Sequence, residues 1–144
     1  MVDTNPNQED DLSQAAVVPY RVRRGCVEIC IITSRKGNWG VPKGIIDPGE
    51  TAAEAGLKEA LEEAGLHGKI VGKPIGEFEY EKWERVLPVT VFLMEVTKAD
   101  DDWQEPWRDR QWVSVDEAIE LVHRPELTKI LNRARKALKT RKAA

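Results

Sequence analysis

A glycine-rich turn delivers Glu50, and Glu59, Glu62 and Glu63 follow on one short segment, KEALEEAGL at residues 58–66. At roughly 100° per residue these last three carboxylates fall within about 100° of one another on a helix. Like charges at i, i+3 and i+4 destabilise a helix by a few tenths of a kcal/mol per pair. A hard cation removes that penalty. Carboxylate oxygens with no imidazole or thiolate in the segment suit Mg²⁺ or Mn²⁺, and Mg²⁺ characteristically sits between a few carboxylates and substrate phosphates. For such a segment taken alone, a solvated acidic surface helix is the competing reading.

The elements that must position these groups are legible around them. Thr51 followed by Glu54 reads as a capping box, so a helix is expected over residues 51–64, stopped by Gly65. Ala53, Leu57, Ala60, Leu61 and Ala64 cluster on another side as an apolar core face. Ala52, Ala55 and Gly56 fall beside the acidic face, where small residues leave room for a bulky ligand. The preceding loop, WGVPKGIIDPGE at 39–50, holds two prolines and three glycines, a composition for fixed turns and close backbone approach. Within it, Lys43 brings a cation and its peptide groups to the same end of the helix.

Gly44, five residues, Glu50, seven residues and then 58–66 resemble the Nudix box, G-x5-E-x7-R-E-U-x-E-E-x-G-U. Lys58 stands where the family has arginine, which keeps the charge and loses the planar fork. The resemblance implies a Nudix-type α/β/α sandwich with a mixed β-sheet. It also implies Mg²⁺-dependent attack of water on a phosphoanhydride, with Mn²⁺ as substitute. By position in the motif, Glu59 and Glu63 are the expected metal ligands, with the backbone carbonyl of Lys43 as a third, and Glu62 is the expected general base. Neighbouring carboxylates can exchange these roles. Glu50 is expected to buttress the loop through Lys58. A further acid from the loop at 100–109 is open to selection.

Beyond the box, residues 34–44, 62–80, 91–103 and 108–121 resemble the diphosphoinositol polyphosphate phosphohydrolases and their diadenosine polyphosphate hydrolase relatives. The likeness covers most of residues 20–131. It implies a small, crowded polyanionic substrate, with Arg21, Arg23, Arg35, Lys43, Lys82, Arg85, Arg108 and Arg110 as the basic residues that meet its phosphates. Trp39, Trp83 and Trp107 are candidates to stack on an adenine, whereas Trp112 reads as a strand residue packed on the core. Two alternatives stay open: a pyrophosphohydrolase of RNA 5′ ends, and a non-catalytic nucleotide-sensing module. A net charge of −3 and the lack of an aromatic-basic single-strand platform weigh against nucleic acid.

At 144 residues the chain fits one domain, with no apolar run of membrane-spanning length. The first nineteen residues hold four acids and no Lys or Arg, which argues against a secretory signal and for a disordered arm at 1–19. The domain is then expected at 20–139, with a basic tail at 140–144. Residues 124–142 carry eight Lys or Arg against one Glu, either a solvated basic helix or an anion-attracting surface near the site. Strands are expected at 25–33, 71–80, 88–97 and 111–114, and helices at 116–122 and 126–139. Cys26 and Cys30 lie about 13 Å apart on a strand, too far for a disulfide, and read as buried thiols in a reducing cytoplasm. Oligomeric state is left open.

Overall fold

The structure is a computed structural model that describes residues 12–143, with side chains through residue 139. Period-two alternation fixes which way each central strand faces. In β1 (Gln14–Arg23), Ala16, Val18 and Tyr20 enter one apolar cluster and Val17 enters another. Ile29 and Ile31 of β2 (Cys26–Thr33) part from Cys30 and Ile32 in the same way, as do Val89, Val91 and Leu93 of β6 (Arg85–Ala99) from Phe92 and Met94. Strands apolar on both faces must be covered on both sides. The helix α1 (Ala52–Ala64) covers one side, and α2 (Val115–Val122) with α3 (Pro125–Ala143) covers the other. The result is an α/β/α sandwich.

The remaining strands are β3 (Trp39–Gly40), β4 (Lys43–Ile45), β5 (Leu66–Lys82) and β7 (Arg110–Val113). Among the described residues seven strands form one mixed sheet, in the order β3-β2-β1-β6-β5, with β4 paired to β1 and β7 to β2. β1 runs parallel to β6, from Gln14 opposite Val89 to Tyr20 opposite Glu95. Along its other edge it pairs first with β4, Ala16 opposite Lys43, and then with β2, Arg23 opposite Cys26. That change of partner admits β4 to the sheet beside α1. Gly44 and Lys43 are thereby brought to the acidic helix.

α1 is closed at both ends. Thr51 Oγ1 accepts from the Glu54 N–H at 3.1 Å, and Glu54 Oε1 accepts from the Thr51 N–H at 2.8 Å. Such a reciprocal cap contributes about 1 kcal/mol. Gly65 ends the helix in the left-handed region at φ 67°, its N–H meeting the carbonyls of Ala60 and Leu61.

Several sequence expectations are corrected. Residues 14–19, assigned to a disordered arm, are the fully buried part of β1. The acids that suggested an arm all precede that run, and its continuous apolar character is that of a strand buried on both faces. Residues 1–11 of the expected arm lie outside the described residues. No separate tail begins at 140, because the α3 backbone continues to Ala143. Cys30 is buried, and burial pushes its thiol up to about 12, but Cys26 at the start of β2 is exposed. β5 and β6 are longer than expected and continue as a hairpin to Lys82 and Arg85.

The buried side of α1 also differs from the apolar face read off the sequence. It consists of Ala55, Gly56, Ala60, Glu63 and Ala64, while Leu61 is exposed. The helix lies so close to β1 that only small residues fit beneath it. Ala55 and Gly56 therefore face the sheet, leaving no room there for a ligand. A Cβ on Gly56 would lie 2.8 Å from Val17 Cγ1. Gly56→Ala gains about 1 kcal/mol of helix propensity against overpacking of about 1–3 kcal/mol. Thermal unfolding should show a net loss of stability, and in a Val17→Ala background the same substitution should become stabilising.

Candidate active site

The contact between β4 and α1 places two carboxyl groups against backbone. A Cβ on Gly44 would stand 2.3 Å from Glu59 Cδ, so the Glu59 carboxyl occupies the space that glycine leaves. One residue earlier, the Lys43 N–H donates to Glu63 Oε1 at 3.3 Å. Glu59 and Glu63 stand one helical turn apart on α1, and each influences the other's titration. Burial is the chief cause that raises both, Glu63 to about 8, and like charge adds to it, from Glu59 at Glu63 and from Glu62 and Glu105 at Glu59. The Arg108 guanidinium, 3.8 Å from Glu63 Oε2, acts in the opposite direction. Glu62, half-buried one turn from Glu59, accepts at its carbonyl from the N–H of Glu105 at 3.1 Å.

Two clamps hold this corner. On one side Arg108 bonds Glu105 Oε1 through Nε at 2.9 Å and the Thr33 carbonyl through Nη1 at 2.8 Å. Of the acids at 100–109, Glu105 is thus carried to α1, a choice the sequence left open. On the other side the Lys58 ammonium lies 2.7 Å from Asp47 Oδ2 and 2.9 Å from Glu50 Oε2. Glu50 Oε1 in turn accepts from the Asp47 N–H at 2.9 Å. Without an arginine's fork, the point charge of Lys58 gathers two carboxylates instead of gripping one. Glu50 is held below its ordinary value by the Asp47 N–H first and by Lys58 second.

Beside Glu63 opens a cleft of about 790 Å³. Arg35, Lys36, Lys43, Lys82, Arg108 and Arg124 line it, and Glu63 is the one acid among its described lining residues. Lys43 Nζ stands 3.9 Å and Arg124 Cζ 4.8 Å from the centroid of Tyr80. Burial holds the Lys43 ammonium below its usual value, and the Lys43 charge above all holds the Tyr80 phenol below its own.

Four of the expected phosphate-binding residues, Arg35, Lys43, Lys82 and Arg108, line the cleft, and four do not. Arg21 pairs with Glu28 at 2.7 Å and covers Trp112 at 4.0 Å, on the α1 side of the sheet. Arg110 covers Trp103 at 4.2 Å and donates to the Ala64 carbonyl at 2.7 Å, satisfying the end of α1. Arg23 is exposed at the turn into β2, and Arg85 faces Lys82 across the β5–β6 turn. Nothing in a linear segment says which side of a strand faces the cleft.

Lys36, Tyr80 and Arg124 escaped the sequence reading. The basic run beginning at Arg124 was the available signal, and it divides. Arg124 reaches the cleft, whereas Arg133 donates to the Ile75 carbonyl and Arg135 pairs with Asp116. The tryptophans divide as well. Trp39 lines the cleft and packs on the core, Trp83 is exposed at the β5–β6 turn, and Trp107 carries the Arg35 and Arg108 guanidiniums at 4.5 and 4.3 Å.

The donor set at α1 is all oxygen, and the adjoining carboxyls of Glu59 and Glu63 mark a place that a hard cation could take. Among the described residues no group of three or more His, Cys, Asp or Glu stands ready to hold a metal. Two carboxylates completed by substrate phosphates is an arrangement that suits Mg²⁺. Among the described residues no helix is long and apolar enough to cross a membrane.

An acidic helix against a glycine of the adjoining strand, at the mouth of a basic cleft in an α/β/α sandwich, defines the class. The NUDIX domain model matches residues 8–136, and the chain belongs to that family. Diphosphoinositol polyphosphate phosphohydrolase 3-beta of Bos taurus is 32% identical over 118 residues, 78% of this chain and 71% of the relative. Nudix hydrolase 21, chloroplastic, of Arabidopsis thaliana is 34% identical over 112 residues, 72% of this chain and 56% of the relative. Among solved structures, the Ap4A hydrolase of C. elegans superposes with a TM-score of 0.75 at 25% identity, over 88% of this chain and 98% of that one.

The raised Glu63 makes a pH prediction. Above the ordinary value of 4.5 an unfolded chain has lost the proton that folded Glu63 keeps until about pH 8. The folded state then binds more protons, so stability falls as pH rises through that window. Thermal melts of the metal-free protein should decline from about pH 5 to about pH 8, and Glu63→Gln should flatten the decline.

Proposed function

We propose that this chain is a Mg²⁺-dependent hydrolase of a phosphoanhydride bond in diphosphoinositol polyphosphates or diadenosine polyphosphates. The observation that carries the reading is the junction of two chemistries in one place. Glu63, with Glu59 one turn before it on α1, stands at the end of a cleft lined by six lysines and arginines. Such a cleft neutralises a dense polyanion, with guanidiniums offering paired hydrogen bonds and ammoniums point charges. The names of the relatives, diphosphoinositol polyphosphate phosphohydrolase and Ap4A hydrolase, agree with that chemistry.

In this reading Glu59 and Glu63 hold the cation, with the Lys43 carbonyl beside them. Bound Mg²⁺ would neutralise developing phosphate charge and lower the pKa of water. Glu62 takes the proton from the attacking water, its main chain fixed by the Glu105 N–H. Arg108 and Lys43 steady the phosphate chain at the inner end of the cleft, and Arg35, Lys36 and Lys82 meet it further out. Lys58, Glu50 and Asp47 keep the loop in register with α1.

Turnover of diadenosine tetra-, penta- and hexaphosphate, a diphosphoinositol polyphosphate and 5′-triphosphorylated RNA should be measured with and without Mg²⁺. Metal-dependent cleavage of either of the first two classes is expected. Cleavage of RNA alone, or binding without turnover, would sink the reading. Glu62→Gln should lower kcat by about 10²–10⁴-fold with folding intact. Gly44→Ala should raise the Mg²⁺ concentration needed for half-maximal rate, since the new methyl displaces Glu59.

A further inference from the structure

Among the described residues the large apolar side chains that stay exposed are Val22, Leu61, Trp83, Val86 and Trp107. Trp107 is covered by two guanidiniums, and Val22 sits by the β1–β2 turn. The other three lie at the two ends of β5. Trp83, 64% exposed, forms the tip of the β5–β6 hairpin, with Val86, 60% exposed, beside it. Trp83 and Glu84 both have positive φ, 55° and 59°, a conformation that a bulky side chain rarely adopts, and it holds the indole out from the sheet. Leu61, 44% exposed, borders a groove of about 220 Å³ between α1 and the start of β5, whose apolar walls are Leu57, Leu66 and Met94.

The tip and the groove belong to the same side of the sheet. Phe78 and Tyr80 pack toward α2 and α3, so alternation turns Glu81, and Val86 opposite it, to the side that carries α1. Leu66 and Met94 lie in the apolar cluster on that same side. Among the described residues β5 is the last strand of the sheet, so its outer edge has no further strand beside it. When two copies of β5 lie side by side and antiparallel, the hairpin tip of each reaches the groove of the other. Residues 72–75, midway between tip and groove, fall out of register with β6 and carry Lys73 and Pro74, which keep the two edges from joining into continuous sheet. Charge follows the same pattern. Lys69 and Lys98 stand at the groove end, each in an exposed ion pair of 3.6 Å, and the exposed Glu81 and Glu84 stand at the tip.

We propose that the β5 side of the molecule is the interface of a two-fold dimer, in which Trp83 and Val86 of each copy fill the groove beside Leu61 of the other. The contact is self-complementary and made twice, so it closes at two copies. A tryptophan seated in an apolar pocket is the kind of anchor that carries most of an interface's affinity, and the opposite charges at each end fix the antiparallel direction. None of these side chains lines the cleft, so the dimer stands or falls independently of the hydrolase reading.

Sedimentation velocity of the full chain over about a hundredfold range of concentration should show a monomer–dimer equilibrium that weakens as salt is raised. Trp83→Ala and Leu61→Lys should each weaken it about a hundredfold, tenfold for each of the two symmetric contacts. Melting of the dilute variants should match the parent, since both side chains are exposed; Trp83→Ala, in an exposed turn, decides the matter if Leu61→Lys unfolds. An equimolar mixture of the two variants should associate more strongly than either alone, because the intact tip of one meets the intact groove of the other. A monomer at every concentration, a dimer indifferent to both substitutions, or a mixture no stronger than its components would overturn the proposal.

Discussion

Two carboxyl groups, Glu63 buried and Glu59 half-buried, set against the backbone of a short strand, fix the terms for everything around them. Burying like charges side by side is unfavourable unless protons, hydrogen-bond donors or cations intervene. Here the Lys43 N–H and the Arg108 guanidinium do so. Each requires a geometry of its own. Gly44 must lack a side chain, Gly56 must let α1 settle onto β1, and the loop at 100–109 must fold back to deliver Arg108 and Glu105. The sandwich can be understood as the frame that holds a helix and a strand at a separation neither would choose alone.

The local signals were legible because their causes are local. Thr51, Glu54 and Gly65 fix the ends of α1 through bonds within a few residues, and the spacing of Glu59, Glu62 and Glu63 follows from helix geometry. Alternation in β2 and β6 marked them as core strands. What stayed hidden depends on partners far along the chain. Residues 14–19 look like a boundary until Val89–Glu95 pairs with them. Arg21 and Arg110 belong to segments that approach the cleft, yet Glu28, Trp112, Trp103 and the end of α1 claim them. Composition reports that a residue is basic and says nothing of which face of its strand it occupies.

The aromatic residues carry a related lesson. Tryptophans near a phosphate-binding region suggest base stacking, but a ring is available only if its faces are bare. Trp107 and Tyr80 have charged groups over them, so they act as supports that order long flexible side chains. An arginine laid on a ring has less conformational freedom to lose when an anion arrives. The cleft is thus partly pre-organised for charge before any ligand is bound.

The position of β1 has a bearing on how the molecule assembles. It precedes every other described element, yet it lies inside the sheet, and its parallel partner β6 follows only after β2, α1 and β5. Parallel pairing across so much intervening chain needs a large loop to close before any hydrogen bond rewards it. The β5–β6 hairpin, by contrast, joins neighbours through a tight turn and can form early. A chain emerging during synthesis would therefore carry the unpaired apolar run Ala15–Tyr20 of β1 until that hairpin exists, and this interval is when the protein is most exposed to association with other copies of itself.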